Sequence, residues 1–440
     1  MITVKIILDD DPTGTQTVRG VPVLTEWSPE ILKAEFDRGT TAFFILTNTR
    51  AMSSADAERA NRAIARNLLA SADGRPFSIA SRGDSTLRGH FPLETDVLNE
   101  ELGPFDAIIL TPYFEAGGRL TIDDVHYLRN GESFTPVGET PFAEDATFGF
   151  QSSNLRDYIE EKTAGKVKRG EVVSIPAGLG ACGEAGHLLA LKGGVHAIAN
   201  LSTPDDLVDF CEGLILAEKA GKRFLFRTAA DFVREWIGQK PWPALAPGEW
   251  IVNPGPGLVI AGSHVPATTA QLEVLIEQGE LVVIEVDVPR LLRNGPEGEV
   301  TRVSLEMNAA LNAGRDTLVM TSRQLVRSVD PEASLHIATA VSGAISKIAA
   351  ALEVRPAWLI AKGGITSSDI ATHALGVKRL IVPGQLLPGV PVWETGPETR
   401  FPGMPYIIFP GNVGGPDALL RAVCKCRSAQ PKISLDPDNS

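Results

Sequence analysis

The chain has few cysteines and no long apolar run, and each shortage excludes a class of protein. Its four cysteines are scattered, and Cys424 and Cys426, the closest pair, do not form a CxxC motif. We therefore expect free thiols in a cytoplasmic protein, rather than disulfides or a structural zinc site. The seven histidines show no i, i+4 pair of the kind that binds zinc, so no protein-bound metal is predicted.

No apolar stretch approaches the roughly 18–20 residues that a membrane span requires. Residues 1–11 form an apolar run followed by acids and contain no basic leader, so we also expect no signal peptide. The chain has 41 basic and 54 acidic residues, a net charge of −13. This excess of acid argues against nucleic acid or an anionic membrane as the main partner. A few local cations could still hold a small anionic substrate.

The chain is long enough for two domains. Its 440 residues exceed the size of one hydrophobic core, and strand-like and helix-like segments alternate in both halves. This alternation predicts an α/β fold class, with two doubly wound, mainly parallel-sheet domains that face a shared cleft. Five prolines in residues 239–256 predict a linker. The predicted domains are residues 1–245 and 250–427, and the polar tail 428–440 is expected to be disordered.

Four short apolar runs in the first 115 residues each end in a cluster of polar residues. The runs are residues 2–8, 41–46, 77–80 and 106–110. Continuous apolar runs of this length are typical of buried parallel strands, and ligands of open α/β sheets bind beyond the carboxyl ends of the strands. We therefore predict the functional site of the first half at these strand ends. Residues 113–155, rich in glycine and proline, are expected to form an excursion of loops and short strands.

The first polar cluster, Asp9–Gln16, begins with three adjacent carboxylates. Such carboxylates repel one another and require compensation by a metal, by substrate hydroxyls or by buried cations. A carboxylate that accepts a hydroxyl proton can act as a general base. The alternative interpretation is an acidic turn that caps a helix N-terminus. We favour a functional role because the preceding strand is strongly apolar and Gly14 follows closely.

The second cluster, Arg82–Gly89, lies near Arg50 in the predicted sheet. Guanidinium groups can bind a carboxylate in a bidentate manner, and an aspartate between them can hold sugar hydroxyls. The alternative is a surface turn in which Arg88 pairs with Glu94 or Asp96.

Three glycine-rich loops in the second half each follow a predicted strand. They are Gly262-Ser263, Gly363–Thr366 and Gly411–Gly415. Glycine allows the backbone to approach a phosphate, and a helix N-terminus supplies N–H donors. Three such loops favour a nucleotide site, although the P-loop pattern GxxxxGK[ST] and the dinucleotide pattern GxGxxG are both missing. The alternative is tight turns without a ligand.

Taken in order from about residue 2 to residue 425, these motifs resemble the four-carbon acid sugar kinase family. The string DSTLRG at Asp84–Gly89 is the most specific part of the resemblance. The remaining matches are Asp10-Asp11 with Thr13-Gly14, Asn48–Arg50, Gly118-Arg119, Gly262-Ser263, Gly363–Thr366 and Gly411-Asn412.

The resemblance implies an N-terminal sugar-binding domain, a C-terminal nucleotide-binding domain and ATP-dependent phosphorylation of acids such as D-threonate, D-erythronate or 3-oxo-tetronates. The implied cofactors are ATP and Mg²⁺, and the implied partners are a small acid sugar and ATP, with a homodimer left open. Asp10 is our first choice of catalytic base and Asp84 the second. The implied substrate-binding residues are Asp10, Asp11, Arg50, Arg82, Gly83, Asp84, Ser85 and Arg88. The implied nucleotide-binding residues are Ser263, Gly363, Gly364, Ile365, Thr366, Gly411 and Asn412.

The chain departs from the family pattern in three places. Pro12 and Thr15 stand where an apolar or aromatic residue and an alanine are usual, beside the additional Asp9. Arg82 replaces the usual lysine. Near the last glycine loop, Phe409 or Pro410 occupies the position where a lysine is expected.

Three other functions remain open at this point. A dinucleotide-dependent oxidoreductase would require a GxGxxG turn with an acidic residue about 20 positions further on, and we find none. A non-catalytic ligand sensor would bind the same ligands without consuming ATP. A lyase or phosphatase would also leave ATP unused.

Overall fold

The structure, a computed structural model, describes residues 3–246, 249–250, 253–323 and 331–429. It divides into two units, Met1–Pro241 and Trp242–Ser440, which we call unit 1 and unit 2. The point of division lies inside the proline-rich stretch 239–256. The last helix ends at Ser428, and the predicted disordered tail from residue 430 onward lies outside the described residues.

Unit 1 is built on a sheet in which every strand pair is parallel. The strand order is β2-β3-β1-β4-β11-β5-β10-β9. The excursion forms a separate antiparallel sheet of β6, β7 and β8. The strands are β1 Val4–Asp9, β2 Val21–Leu24, β3 Ala42–Leu46, β4 Phe77–Arg82, β5 Ala107–Thr111, β6 Arg119–Ile122, β7 Val125–Asn130, β8 Ser133–Pro136, β9 Val173–Ile175, β10 Val195–Ala199 and β11 Phe224–Thr228.

Four of the seven helices that the structure describes in unit 1 begin at a residue whose side chain caps them. The Ser53 hydroxyl accepts a hydrogen bond from the Asp56 backbone, and Thr203 and Asp206 form a capping box. The helix that follows Gly89 starts at Leu93, with Pro92 at its N-cap position. The helices are α1 Pro29–Asp37, α2 Ser54–Ala72, α3 Leu93–Leu102, α4 Leu155–Lys162, α5 Gly180–Ala190, α6 Pro204–Lys219 and α7 Ala230–Trp236.

Unit 2 contains parallel strands in the order β13-β14-β12-β15-β18, continued by β17 and β16 in antiparallel pairing. A short helix begins at Gly364, inside the glycine-rich loop Gly363–Thr366, and continues as one π-helical turn, Ile370–Ala374. The strands are β12 Leu258–Ala261, β13 Val282–Val286, β14 Thr317–Thr321, β15 Leu359–Lys362, β16 Arg379–Leu387, β17 Val390–Thr395 and β18 Pro405–Phe409. The helices are α8 Pro266–Gln278, α9 Val288–Asn294, α10 Pro296–Asn312, α11 Pro331–Ala350, α12 Gly364–Asp369 and α13 Ala418–Ser428.

The strand order places one topological switch point in each unit. In unit 1 the chain leaves β1 for β2 and β3 on one side and returns to β4 on the other. In unit 2 it leaves β12 for β13 and β14 and returns to β15 on the opposite side. Ligands of open α/β sheets bind at such points, outside the carboxyl ends of the strands. The predicted aspartate and arginine clusters follow β1 and β4, and two of the glycine loops follow β12 and β15.

Each unit has its own apolar core. In unit 1, β3 contributes Phe43 and Ile45, which are fully buried against α1 and α2. In unit 2, Val259 and Ile360 from β12 and β15 pack with residues of α8 and α13. Within the described ranges, no helix combines the length and the apolar character needed to cross a membrane. All four cysteines are free.

Candidate active site

At the end of β1, Asp10 pairs with the guanidinium group of Arg50, which follows β3. Arg50 Nη2 lies 2.5 Å from Asp10 Oδ1, and Nε lies 3.3 Å from Oδ2. The Asp10 side chain is 2% exposed, whereas Arg50 remains 21% exposed. Burial raises the pKa of Asp10 in spite of the opposing charges of Arg50 and Arg227. The cluster therefore contains a buried carboxylate with increased proton affinity, next to a partly accessible cation.

Asp11 caps the short 3₁₀ turn Pro12–Thr17. Its side chain accepts hydrogen bonds from the Thr13 backbone at 2.8 Å and from the Thr13 hydroxyl. Burial opposes the charge, but Arg50 and these hydrogen bonds outweigh it and hold the pKa of Asp11 below its usual value. For Asp11, the capping interpretation that the sequence left open is confirmed.

Asp9, which the sequence analysis did not place in the site, pairs with Arg82 at 3.0 Å. Both side chains are buried, and Asp9 Oδ2 has no hydrogen-bond partner among the described residues. Burial raises the pKa of Asp9 to about 7, against the opposing charge of Arg82. A Cβ on Gly14 would lie 2.0 Å from the Asp9 carboxylate, which explains why glycine stands there. The Asp9 carboxylate thus pairs with Arg82, so Arg82 is not a free cation.

Asp84 organises the turn after β4. Its Oδ2 accepts hydrogen bonds from Arg88 Nε at 2.6 Å and from the Thr86 hydroxyl. Burial is outweighed by Arg50 and Arg88, which hold the pKa of Asp84 well below its usual range. Arg88 therefore pairs with Asp84, not with Glu94 or Asp96 as in the alternative interpretation. Of the two predicted bases, Asp10 has the pKa shift that favours accepting a proton.

Arg227, at the carboxyl end of β11, belongs to the same cluster and was missed. It donates to Ser81 Oγ at 2.8 Å, forms an ion pair with Glu94 and lies 3.8 Å from Asp10 Oδ2. A Cβ on Gly83 would lie 2.4 Å from its guanidinium group, so the predicted residue Gly83 makes room for this side chain. The signal in the sequence was a further apolar strand, β11, that carries a charged residue next to its carboxyl end.

His126 connects the small antiparallel sheet to the Asp84–Ser85 turn. It lies on β7, one of the short strands of the excursion. Its Nε2 donates to the Ser85 carbonyl at 2.8 Å, and its Nδ1 accepts from the Thr121 hydroxyl at 3.0 Å. Burial lowers the pKa of His126 to about 4, so the ring is neutral and acts as a structural link.

Arg119, the first residue of β6, differs from the other arginines around the cluster. It donates only to the Gly117 carbonyl, and its buried Nε has no hydrogen-bond partner in the part of the chain that the structure describes. Its guanidinium group lies 5.9 Å from the centre of the Phe142 ring, and that of Arg88 lies 4.9 Å from the same ring. Burial lowers the pKa of Arg119, and the nearby Asp84 partly compensates.

In unit 2 the three glycine loops meet around Ser263. A Cβ on Gly363 would lie 3.4 Å from Ser263 Cβ, and a Cβ on Gly411 would lie 3.6 Å from Ser263 Oγ. A Cβ on Gly262 would lie 2.9 Å from Thr366 Oγ. The three loops are thus packed closely against Ser263 and Thr366, and glycine allows their backbones to come this near. Glycine-rich loops of this kind at strand ends can present backbone N–H groups to a nucleotide phosphate group.

The remaining predicted residues of unit 2 belong to two of these loops. Gly364 is the first residue of α12, and the Ile365 side chain is 57% exposed. Asn412 is exposed in the turn after Gly411. That turn is held by α8, because Thr268 Oγ donates to the Gly411 carbonyl and Gln271 Nε2 to the Val413 carbonyl.

Two cations beside the glycine loops were also missed. Lys362, the last residue of β15, donates to the Pro410 carbonyl at 2.6 Å and to the Gly411 carbonyl at 3.3 Å. Arg323, after β14, donates to the Ser263 carbonyl and to Thr269 Oγ, both at 2.8 Å. In the described part of the chain, no group of three or more histidine, cysteine, aspartate or glutamate side chains is arranged to hold a metal ion.

Comparisons with known proteins agree with this two-part arrangement. Residues 5–236 match the family model of a sugar-binding N-terminal domain, and residues 258–419 match that of a nucleotide-binding C-terminal domain. The chain is 30% identical to the 3-oxo-tetronate kinase of Cupriavidus necator over 166 residues, or 37% of this chain and 36% of that kinase. It is 23% identical to the D-threonate kinase of Salmonella typhimurium over 442 residues, or 95% of this chain and 97% of that kinase.

The first of these matches therefore spans about a third of the relative's length, and the second spans nearly all of it. Two solved structures resemble the chain as a whole, each at 18% identity. A Salmonella typhimurium LT2 protein, provisionally described as a tRNA synthase, gives a TM-score of 0.68 over 96% of this chain and 99% of its own. The Haemophilus influenzae protein HI1011 gives a TM-score of 0.65 over 95% of this chain and 98% of its own. At this identity the likeness concerns the fold alone.

Proposed function

Since the chain belongs to the four-carbon acid sugar kinase family, we propose that it is an ATP-dependent kinase for a hydroxyl group of a small acid sugar. The substrate class is a four-carbon or branched acid such as a tetronate or 3-oxo-tetronate. One observation supports this most directly: each unit has a site of different chemistry at its topological switch point. Unit 1 carries paired carboxylates and guanidinium groups, and unit 2 carries glycine loops suited to phosphates.

Phosphoryl transfer depends on positioning and on charge neutralisation more than on covalent chemistry. We assign acid binding to unit 1 and ATP binding to Ser263 and the Gly363 and Gly411 loops of unit 2. Mg²⁺ would neutralise phosphate charge while held mainly by the nucleotide and water. We propose this activity for the cytoplasm, and a homodimer stays a prediction.

Asp10 is the residue to which we assign the proton of the attacking hydroxyl. Its raised pKa makes it a better acceptor than Asp84, whose pKa Arg50 and Arg88 hold low. Arg50 orients Asp10 through two contacts and keeps the carboxylate at the strand end. Asp84 remains ionised and is suited to accept hydrogen bonds from other sugar hydroxyls.

We assign recognition of the substrate carboxylate to Arg119. The four arginines at the strand ends already have carboxylate partners, so an incoming acid would have to break one of those pairs. Arg119 forms no ion pair with a carboxylate that the structure describes, and a cation that lacks a partner pays less to bind one. The existing pairs are Arg50–Asp10, Arg82–Asp9, Arg88–Asp84 and Arg227–Glu94.

A coupled assay of ADP release tests the proposed function. The panel contains four- and five-carbon sugar acids and the corresponding sugar alcohols, each with ATP and Mg²⁺. We expect turnover of one or a few acids and little turnover of the alcohols. Absence of ADP release with every acid, or reduction of an added nicotinamide dinucleotide, would contradict the proposal.

Variants at Arg119 test the assignment of the carboxylate. We expect Arg119→Met to raise KM for the acid by about a hundredfold, since a charged hydrogen-bonded pair contributes about 1.5–3 kcal/mol, while KM for ATP is unchanged. Arg129→Met is the matched control, because Arg129 lies on the same antiparallel sheet but pairs with Glu115. An unchanged KM for the acid in Arg119→Met would remove Arg119 from substrate recognition.

A further inference from the structure

Lys362 is a buried cation without a carboxylate partner, and it lies directly beneath the Gly411 turn. Its side chain is fully buried, and its Nζ donates to the carbonyl oxygens of Pro410 and Gly411 at 2.6 and 3.3 Å. It forms no ion pair within the described residues. Lysine is almost never fully buried unless it is paired. The position therefore calls for an explanation beyond packing.

The strand register explains how Lys362 reaches this place. It is the last residue of β15 and lies opposite Phe409 in the parallel pairing with β18. Its Nζ lies 4.2 Å from the centre of the Phe409 ring, a cation–π contact. The resemblance noted above predicts a lysine at position 409 or 410. Here the neighbouring strand supplies a lysine side chain to the same turn.

Carbonyl oxygens and an aromatic ring compensate a buried ammonium group only in part. Desolvation disfavours the charged form, and burial lowers the pKa of Lys362 to about 7. A phosphate chain bound at the Gly363 and Gly411 loops would bring several negative charges close to this amine. In a poorly solvated environment such charges strongly favour the protonated form.

We propose that Lys362 is a positioning residue of the nucleotide site, which holds the Gly411 turn and takes up one proton from solvent when a nucleoside di- or triphosphate binds. The step is an acid–base equilibrium: the neutral amine accepts a proton and becomes an ammonium ion, and no covalent bond to the ligand forms. This inference rests on the proposed function, because it requires that unit 2 binds a nucleotide.

Few other titratable groups face this place. Tyr406 on β18 donates its hydroxyl to the Ser367 carbonyl, and burial raises its pKa well above the ordinary value, so it stays neutral. Asp369 on α12 accepts a hydrogen bond from Ser342, and Glu273 lies on α8. His264, after β12, contacts the Ser322 carbonyl at 3.0 Å. His264 therefore serves as the control position for Lys362.

Calorimetric titration of the full chain with ADP and saturating Mg²⁺ tests the proposal without any substitution. At pH 8 the phosphates of ADP are fully ionised, since the second phosphate pKa is about 6. Binding heats in two buffers of different ionisation enthalpy then count the protons taken up by the protein. We expect uptake of nearly one proton at pH 8 and almost none at pH 6, where Lys362 is already charged.

Two variants assign the proton. We expect Lys362→Met to abolish the uptake and to weaken ADP binding at pH 6 by at least tenfold, whereas His264→Gln retains the uptake. Retained uptake in Lys362→Met, or its loss in His264→Gln, would overturn the assignment. If Lys362→Met fails to fold, the wild-type titration still decides. ADP binding without proton uptake overturns this inference alone, whereas absence of ADP binding at both pH values overturns the proposed function and the inference with it.

Discussion

The glycines at the two sites differ in the side chains that surround them. In unit 1, a Cβ on Gly14 would lie 2.0 Å from the Asp9 carboxylate, and a Cβ on Gly83 would lie 2.4 Å from the Arg227 guanidinium group. These glycines make room for the protein's own charged side chains. In unit 2, a Cβ on Gly411 would meet nothing closer than 3.3 Å. Its neighbours are the uncharged side chains of Val265 and Ser263, so this glycine does not make room for a charged side chain of the protein itself. The comparison shows that a glycine motif alone does not identify a phosphate site.

The two sites also differ in how they handle charge. Unit 1 balances buried carboxylates against buried guanidinium groups in close pairs, so a substrate has to enter a preformed network. Unit 2 offers backbone groups and an isolated buried amine, Lys362. Recognition in unit 1 is therefore expected to depend on charged side chains, and recognition in unit 2 on the shape of the loops. The four predictions below test this contrast, beginning with the largest effect.

The Asp10→Asn substitution should reduce kcat by about a thousandfold, because an amide cannot accept the hydroxyl proton and general-base catalysis contributes about 10²–10⁴-fold. ATP affinity should not change, since Asp10 lies in unit 1. Steady-state ADP release and calorimetric ATP binding measure the two effects. Full turnover by Asp10→Asn would remove Asp10 from the chemistry.

The Ser263→Trp substitution should weaken ATP binding by at least about a hundredfold, because the indole would fill the space between the Gly363 and Gly411 loops. Binding of the acid sugar to unit 1 should remain. Separate titrations with ATP and with the acid measure the two affinities. If both ligands bind normally, the glycine loops are not the nucleotide site.

The Asp9→Asn substitution should change the pH dependence of stability. The pKa of Asp9 is raised in the folded protein to about 7 from an ordinary 3.8, so its stabilising contribution is complete below about pH 4 and is lost as the pH rises to 7. Each pKa unit corresponds to about 1.4 kcal/mol. The free energy of unfolding of the wild type, measured relative to Asp9→Asn, should therefore fall by a few kcal/mol over this range.

Urea unfolding of both proteins at several pH values between 4 and 8 gives this difference. Asp11 and Asp84, whose pKa values are shifted in the opposite direction, are present in both proteins, so their contributions cancel. Parallel stability curves would show that Asp9 titrates normally.

A pair of alanine substitutions tests the contrast between the glycines directly. Gly14→Ala should lower the free energy of unfolding by about 1–3 kcal/mol, because the new methyl group overlaps the Asp9 carboxylate. Gly411→Ala should change it by less than about 0.5 kcal/mol but weaken ATP binding several-fold. Equal effects of the two substitutions on stability would remove the distinction.

The sequence was sufficient to predict the strands that carry the sites. β1, β3, β4 and β5 begin and end within about two residues of their predicted positions, because buried parallel strands are apolar on both faces. β2 was not predicted, since its four residues include Pro22. β16 was predicted only in part and β17 was not predicted, because Pro383, Gly384 and Pro391 interrupt their strand pattern.

The side chains that surround the sites were harder to predict. Lys362 is the last residue of β15, and Arg227 is the last but one of β11. Their roles depend on which strand lies alongside, since β11 lies between β4 and β5 and β15 lies next to β18. Strand order is a long-range property, and periodicity along the chain contains no information about it. The pairing of Asp9 with Arg82 was not predicted for a related reason, because Arg82 lies 73 residues further along the chain.

The antiparallel sheet of β6, β7 and β8 is an element that can vary separately from the parallel sheet. It lies outside the parallel sheet and reaches the strand-end cluster through the hydrogen bond from His126 to Ser85 and through Arg119. Under the proposed function, insertions or substitutions in this sheet would change the preference among acids, while the aspartates at the ends of the core strands keep their positions. Under that proposal, the substrate preference would change while the strand ends that carry the aspartates stay the same.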